Sequence, residues 1–202
     1  MTILAPAGRE PAAQAHSLHI LGHRGARGIA PENTLASFQV AMDIGVDMLE
    51  LDVHLSHDGH LVVMHDPDVA RTTDGRGAIS DYTLAELKRL NAAARFEGPR
   101  SYGRQQIPTL QEVFDLVQGR VGINVEIKVA ADGRRYPRIE ETVVELLRAN
   151  RALASTRVSS FDFPTLQRVH ELEPRLARYA IVSGEYFAGA GHQEPAVVVA
   201  DL

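Results

Sequence analysis

The chain has 202 residues, 45% of them hydrophobic and 23% charged, which suits one globular domain with a substantial core and excludes gross disorder. Its formal charge of −5 gives no basic field of the kind that draws proteins to nucleic acid or anionic lipid. With no cysteine, disulfides and thiolate metal sites are excluded, so any metal must be held by carboxylates, histidines or carbonyls.

Residues 1–17 mix Ala, Pro, Gly and single charges and lack the basic start and apolar stretch of a secretory signal, so they read as a flexible tail. No apolar run approaches the roughly 20 residues needed to span a bilayer. The expectation is a soluble, cytoplasmic protein. Residues 18–21 form a short apolar segment followed at once by Gly22-His23-Arg24-Gly25, a buried strand ending in a tight turn. Asn33 or Thr34 then caps a helix reaching 41–42, with Gly45 in the place of a C-terminal glycine. A second strand covers 46–53, His57-Asp58-Gly59 makes a turn, and a third strand over 61–64 ends at His65-Asp66. Residues 67–108 are polar and turn-rich, with one clear helix over 83–90, and read as a lid or a substrate-binding insertion. Regular alternation resumes beyond it: helix 109–118, strand 121–127, helix 136–149, strand 157–160, helix 164–172 and strand 176–182, with 196–200 as a weaker seventh strand. Such alternation argues for a parallel α/β sheet with covering helices, and about six strands fit either an open sheet or an eight-stranded barrel whose last units are missing.

The chemistry is positional. His23, Glu50, Asp52, His65, Glu126 and Lys128 all fall at or near predicted C-terminal strand ends, the active-site face of a parallel barrel. Glu50 and Asp52 are two apart and share one face of their strand. With Glu126 they would crowd three carboxylates together, and a hard divalent ion relieves that repulsion, so Mg²⁺ or Ca²⁺ is expected before Zn²⁺. Each element also has a plainer reading: a solvated Glu-Leu-Asp rim, a turn histidine at 23, an ordinary strand exit at His65-Asp66, a Glu126–Lys128 pair across a strand end. The weight lies in four strand ends carrying complementary groups.

Gly22-His23-Arg24-Gly25, Pro31-Glu32-Asn33-Thr34, Glu50-Leu51-Asp52-Val53, Val63-Met64-His65-Asp66, Arg71-Thr72-Thr73, Gly75, Gly77, Ile107-Pro108-Thr109-Leu110, Val125-Glu126-Ile127-Lys128 and Ser159-Ser160-Phe161 occur in one order. In this the chain resembles the glycerophosphodiester phosphodiesterase family over about residues 18–182. The resemblance implies a TIM-type (β/α) barrel domain over 18–202 with a small insertion after strand 3 (67–108), and metal-dependent hydrolysis of a small-molecule glycerophosphodiester to sn-glycerol 3-phosphate and an alcohol. It assigns Glu50, Asp52 and Glu126 to the divalent cation and His23 and His65 to acid-base work, His23 as base and His65 as leaving-group acid. Arg24 and Lys128 would contact the phosphate, while Glu32 and Asn33 would order the first loop, with Glu32 near the metal. One departure stands out. The family continues into a Trp-containing seventh strand and a Gly-rich, acidic eighth, whereas this chain has no Trp and residues 184–202 match neither. A barrel incomplete at its C-terminus is therefore expected, with a completing chain or a homo-oligomer to cover it. The alternatives are a catalytically inactive remnant or phosphate/metal-binding module, and a lysophospholipase D-like enzyme. The latter needs an apolar entrance, whereas Tyr82, Leu84, Leu87, Phe96 and Tyr102 read as packing for the inserted helix.

Overall fold

The computed structural model describes residues 19–182, so the tail at 1–17, the weak strand at 196–200 and the question of the last barrel units lie outside the described residues. The elements are β1 (Leu21–His23), α1 (Leu35–Ile44), β2 (Met48–Leu55), β3 (Leu61–Val63), α2 (Leu84–Leu87), α3 (Leu110–Val117), β4 (Gly122–Ile127), α4 (Ile139–Ala149), β5 (Thr156–Ser160), α5 (Phe163–Leu172) and β6 (Ala177–Ala180). Strands β1, β2, β4, β5 and β6 are parallel neighbours in chain order. A doubly wound sheet reverses its strand order midway, whereas a barrel winds in one direction, and this sheet winds in one direction throughout. The architecture is a TIM-type (β/α) barrel.

Helix ends follow local chemistry. Thr34 caps α1 by accepting from the Ser37 N–H at 3.2 Å, and Gly45 closes it at φ 94°. Thr109 and Glu112 form a capping box at α3, and Thr83 and Glu86 form another at α2. Pro137 bars the residue before it from helical geometry, so α4 begins at Ile139 rather than at 136, leaving Tyr136 free to turn toward the strands.

Two expectations are corrected. The first strand is not a buried segment over 18–21: it runs Leu21–His23, and Ile20 and Leu21 are about half exposed, because β1 is paired on one side only among the described residues. The third strand is not a parallel barrel strand. Its register pairs Val53 with Val63 and Leu55 with Leu61, antiparallel. The five residues 56–60 between the strands are too short for a parallel crossover, which needs about a dozen or more, so β2 and β3 form a hairpin turned at Gly59 (φ 80°). The insertion at 67–108 follows this third strand, as expected, and so comes between the second and the next parallel strand. Within it, two 3₁₀ turns (Val69–Arg71 and Ile79–Asp81) and α2 enclose a small core of Val62, Met64, Val69, Ile79, Leu87, Ala92 and Ile107.

The main core lies between sheet and helices, where Leu49, Leu51, Val53, Val125, Ile127 and Val158 meet Phe38, Val113, Val143, Leu147 and Leu166. Each such side chain contributes about 1.5–3 kcal/mol on burial. Strand alternation sends the intervening residues, Glu50, Asp52, His54, Asn124, Glu126 and Ser159, to the opposite face. Among the described residues no helix is long and apolar enough to cross a membrane.

The turn leaving β1 depends on glycine. Gly25 has φ 80°, and a Cβ there would sit 2.5 Å from Ser37 Oγ and 2.8 Å from the Ser37 carbonyl carbon. That hydroxyl accepts from the Ala26 N–H at 2.8 Å and donates to the Arg24 carbonyl at 3.2 Å. Gly25→Ala is expected to cost about 2–4 kcal/mol of stability from backbone strain and overpacking. Gly28→Ala, which meets nothing within 4 Å, serves as the control in chemical denaturation.

Candidate functional site

Parallel pairing sets the polar face in register. His23 lies opposite Glu50, Glu50 opposite Asn124, Asp52 opposite Glu126, and Glu126 opposite Ser159. Glu50, Asp52 and Glu126 are 5%, 0% and 7% exposed, and one carboxylate oxygen from each lies within 4.8 Å of the others. Metal–oxygen bonds of about 2.0–2.6 Å let oxygens up to about 5 Å apart share one ion, so the sequence-predicted trio fits a common cation. Crowding shows in the proton affinities. Burial, then the charge of Asp52, pushes the Glu50 carboxyl well above the ordinary carboxylate range. Glu126 shifts upward too, burial outweighing the downward pull of Lys128. The Lys128 ammonium stands 2.5 Å from Glu126 Oε1 and 3.0 Å from Asp52 Oδ1, yet that buried Asp52 oxygen has no hydrogen bond aligned on it. An all-oxygen, acid-rich pocket with an incompletely satisfied carboxylate fits a hard divalent cation.

The loop after β1 supplies the next layer. Arg24 and Asn33 both adopt left-handed backbone geometry, at φ 53° and 55°, uncommon for side chains other than glycine. This aims the Arg24 N–H at Glu50 Oε2 (2.8 Å) and the Asn33 amide at Asp52 Oδ2 (2.8 Å). The Arg24 guanidinium reaches Glu32 Oε1 at 3.2 Å and lies 3.7 Å from Asp52 Oδ2. Glu32 thus ties the Arg24 side chain back to its own loop. His23, about half exposed, places Nε2 3.7 Å from Glu50 Oε2. Burial, then the charges of Arg27 and Arg24, lowers its pKa.

His65 arrives from the far side, carried back by the β2–β3 hairpin, where the Met64 N–H donates to the Asp52 carbonyl at 3.0 Å. Its Nδ1 lies 2.6 Å from Asp66 Oδ1. Asp66 also pairs with Arg71, whose guanidinium reaches Glu32 at 2.6 and 3.0 Å. An alternating chain of charges, Asp66–Arg71–Glu32–Arg24, therefore joins the insertion to the first loop. Every predicted site residue belongs to this one assembly.

Sequence reasoning missed four members. Asp66 was signalled only by adjacency to His65, and Arg71 only by its Arg-Thr-Thr setting. His54 continues the period-two series Glu50, Asp52, and that pattern could have found it; Tyr136 had no signal. His54 is fully buried, with Nδ1 2.9 Å from the Tyr136 hydroxyl and Nε2 3.2 Å from the His65 carbonyl. A carbonyl only accepts, so Nε2 carries the proton and Nδ1 accepts from Tyr136. Burial lowers the His54 pKa to about 4 and keeps the ring neutral. His54→Leu leaves two buried polar groups unpaired and is expected to lower unfolding free energy by about 2–4 kcal/mol in urea titrations. An unshifted midpoint would show that these bonds contribute nothing.

A model of the glycerophosphoryl diester phosphodiesterase family matches residues 23–200. The chain is 40% identical over 157 residues to a glycerophosphodiester phosphodiesterase of Caldanaerobacter subterraneus subsp. tengcongensis, covering 78% of this chain and 63% of that protein. Among solved structures it is similar to the glycerophosphodiester phosphodiesterase of Agrobacterium tumefaciens, with 32% identity, a TM-score of 0.72 and coverage of 81% of this chain and 66% of the other. It is also similar to an Oleispira antarctica phosphodiesterase determined with the product sn-glycerol-3-phosphate, at 36% identity, a TM-score of 0.73 and coverage of 86% and 72%. The chain spans 63% of the length of the first curated relatives it matches.

Proposed function

Because the chain belongs to the glycerophosphoryl diester phosphodiesterase family, we propose that it hydrolyses a small-molecule glycerophosphodiester to sn-glycerol 3-phosphate and a free alcohol. The observation that carries the reading is the convergence of Glu50, Asp52 and Glu126 oxygens within 4.8 Å. We assign these three to a divalent cation, Mg²⁺ or Ca²⁺. When bound, the cation draws negative charge from the phosphate oxygens as more accumulates in the transition state.

The chain's own groups do the rest. Arg24 binds the phosphate with its planar fork, held ready by Glu32 and by the left-handed turn before Gly25. Lys128, already between Asp52 and Glu126, adds a second positive charge on the same side. His23, the more solvent-open imidazole, takes the proton from the nucleophile. His65 gives a proton to the departing alkoxide, and the Asp66 carboxylate at Nδ1 leaves Nε2 as the working atom. The same two imidazoles serve a two-step route in which the substrate's own glycerol hydroxyl attacks, forming a cyclic phosphate that water then opens.

Release of glycerol 3-phosphate from glycerophosphoethanolamine is expected to vanish in chelator and return with Mg²⁺ or Ca²⁺. Turnover indifferent to chelation would remove the cation from the reading. Metal and phosphate binding without turnover, in folded protein, would establish a binding module in its place.

A further inference from the structure

A cavity of about 100 Å³ opens between the first loop and the insertion, lined by Arg27, Glu32, Arg71, Arg95 and Phe96 among others. It has room for a few waters or one small polar group. Its charges do not balance. Glu32, the acid in the lining, is already shared between Arg24 and Arg71, and Arg71 is further bound to Asp66. Arg27 and Arg95 have no ion pair or hydrogen bond among the described residues. They come from separate segments, the β1–α1 loop and the end of the insertion, yet face one space. Like charges gathered without a counter-ion repel, and a bound anion would relieve the repulsion.

The cavity also adjoins the catalytic assembly. Glu32 and Arg71 belong to the chain of charges that runs from Asp66 to Arg24, and Arg27 is near enough to His23 for its charge to act on that imidazole. We infer that this cavity is a subsite for an anionic group carried by the alcohol half of the diester, so that the preferred substrates bear a carboxylate or a second phosphate beyond the scissile one. Guanidinium forks suit both. A cationic head group, by contrast, meets three arginines there. This inference rests on the hydrolase reading for its kinetic form.

Glycerophosphoserine and glycerophosphoethanolamine differ by one carboxylate and make a matched pair. Wild-type kcat/KM is expected to favour the serine diester by about 5-fold, chiefly through KM, the upper size of a charged contact open to solvent. In an Arg27→Gln, Arg95→Gln double variant the ratio should fall to near one, with Arg95→Lys between. Both arginines are exposed, so the fold should survive, and a thermal melt checks it. A wild-type ratio of one or less overturns the subsite, as does a ratio that the double variant leaves unchanged. If neither diester turns over with metal present, the hydrolase reading fails, and calorimetric titration with phosphoserine and phosphoethanolamine still decides the subsite. Tighter phosphoserine binding, lost in the double variant, supports it; equal binding sinks it.

Discussion

Asp52→Asn is expected to lower kcat by about 10³-fold at saturating divalent metal, equivalent to about 4 kcal/mol of transition-state stabilisation. Asp52 is fully buried at the centre of the assembly, between Glu50 and Glu126, with Lys128, Arg24 and Asn33 all directed at it. An asparagine keeps the shape and can still accept from the Asn33 amide, but it brings no charge to a cation or to Lys128. The variant should fold, because it removes one of three mutually repelling carboxylates rather than leaving one alone. Relieved of the Asp52 charge, Glu50 should titrate closer to the ordinary carboxylate range. Isothermal titration should show weakened metal binding alongside the kinetic loss. Wild-type turnover with normal metal affinity would take Asp52 out of the site.

His65→Ala should cost about 10²–10⁴-fold in kcat with a much smaller change in KM, the range expected for a lost general acid. Two related variants separate chemistry from scaffolding. Asp66→Asn keeps the imidazole but weakens its orientation at Nδ1, so its loss should be smaller. A substrate analogue whose leaving group departs without a proton, such as a nitrophenyl ester, should recover most of the rate in His65→Ala while doing little for a His23→Ala variant. If His65→Ala hydrolyses both substrates at the wild-type rate, the acid lies elsewhere.

What the sequence disclosed was mostly periodic or local. Glu50 and Asp52 could be placed on one face because strand alternation fixes that, and Glu126 followed once parallel pairing aligned it with Asp52. Caps at Thr34 and Thr109 and the glycine stop at Gly45 were readable for the same reason, since each is decided within four residues. The direction of β3 was legible in principle, as five residues cannot carry a parallel crossover, but the apolar run at 61–64 alone does not carry direction. The partners of Arg71 and Tyr136 were beyond reach. They stand 39 and 82 residues away, and only the closed tertiary structure brings Arg71 to Glu32 or Tyr136 to His54.

The hairpin that turns β3 back along β2 mounts the two imidazoles on different bodies. His23 ends the barrel's first strand, whereas His65 leads into the separately cored insertion and is moored by Asp66, itself paired with Arg71, and by the ring at 54. On the proposed reading, turnover would be a joint property of two packed units, and slippage between them would abolish it while each remained folded. Heating or mild denaturant should extinguish turnover ahead of the global melt, with the small nucleus around Ile79 and Leu87 acting as the fuse.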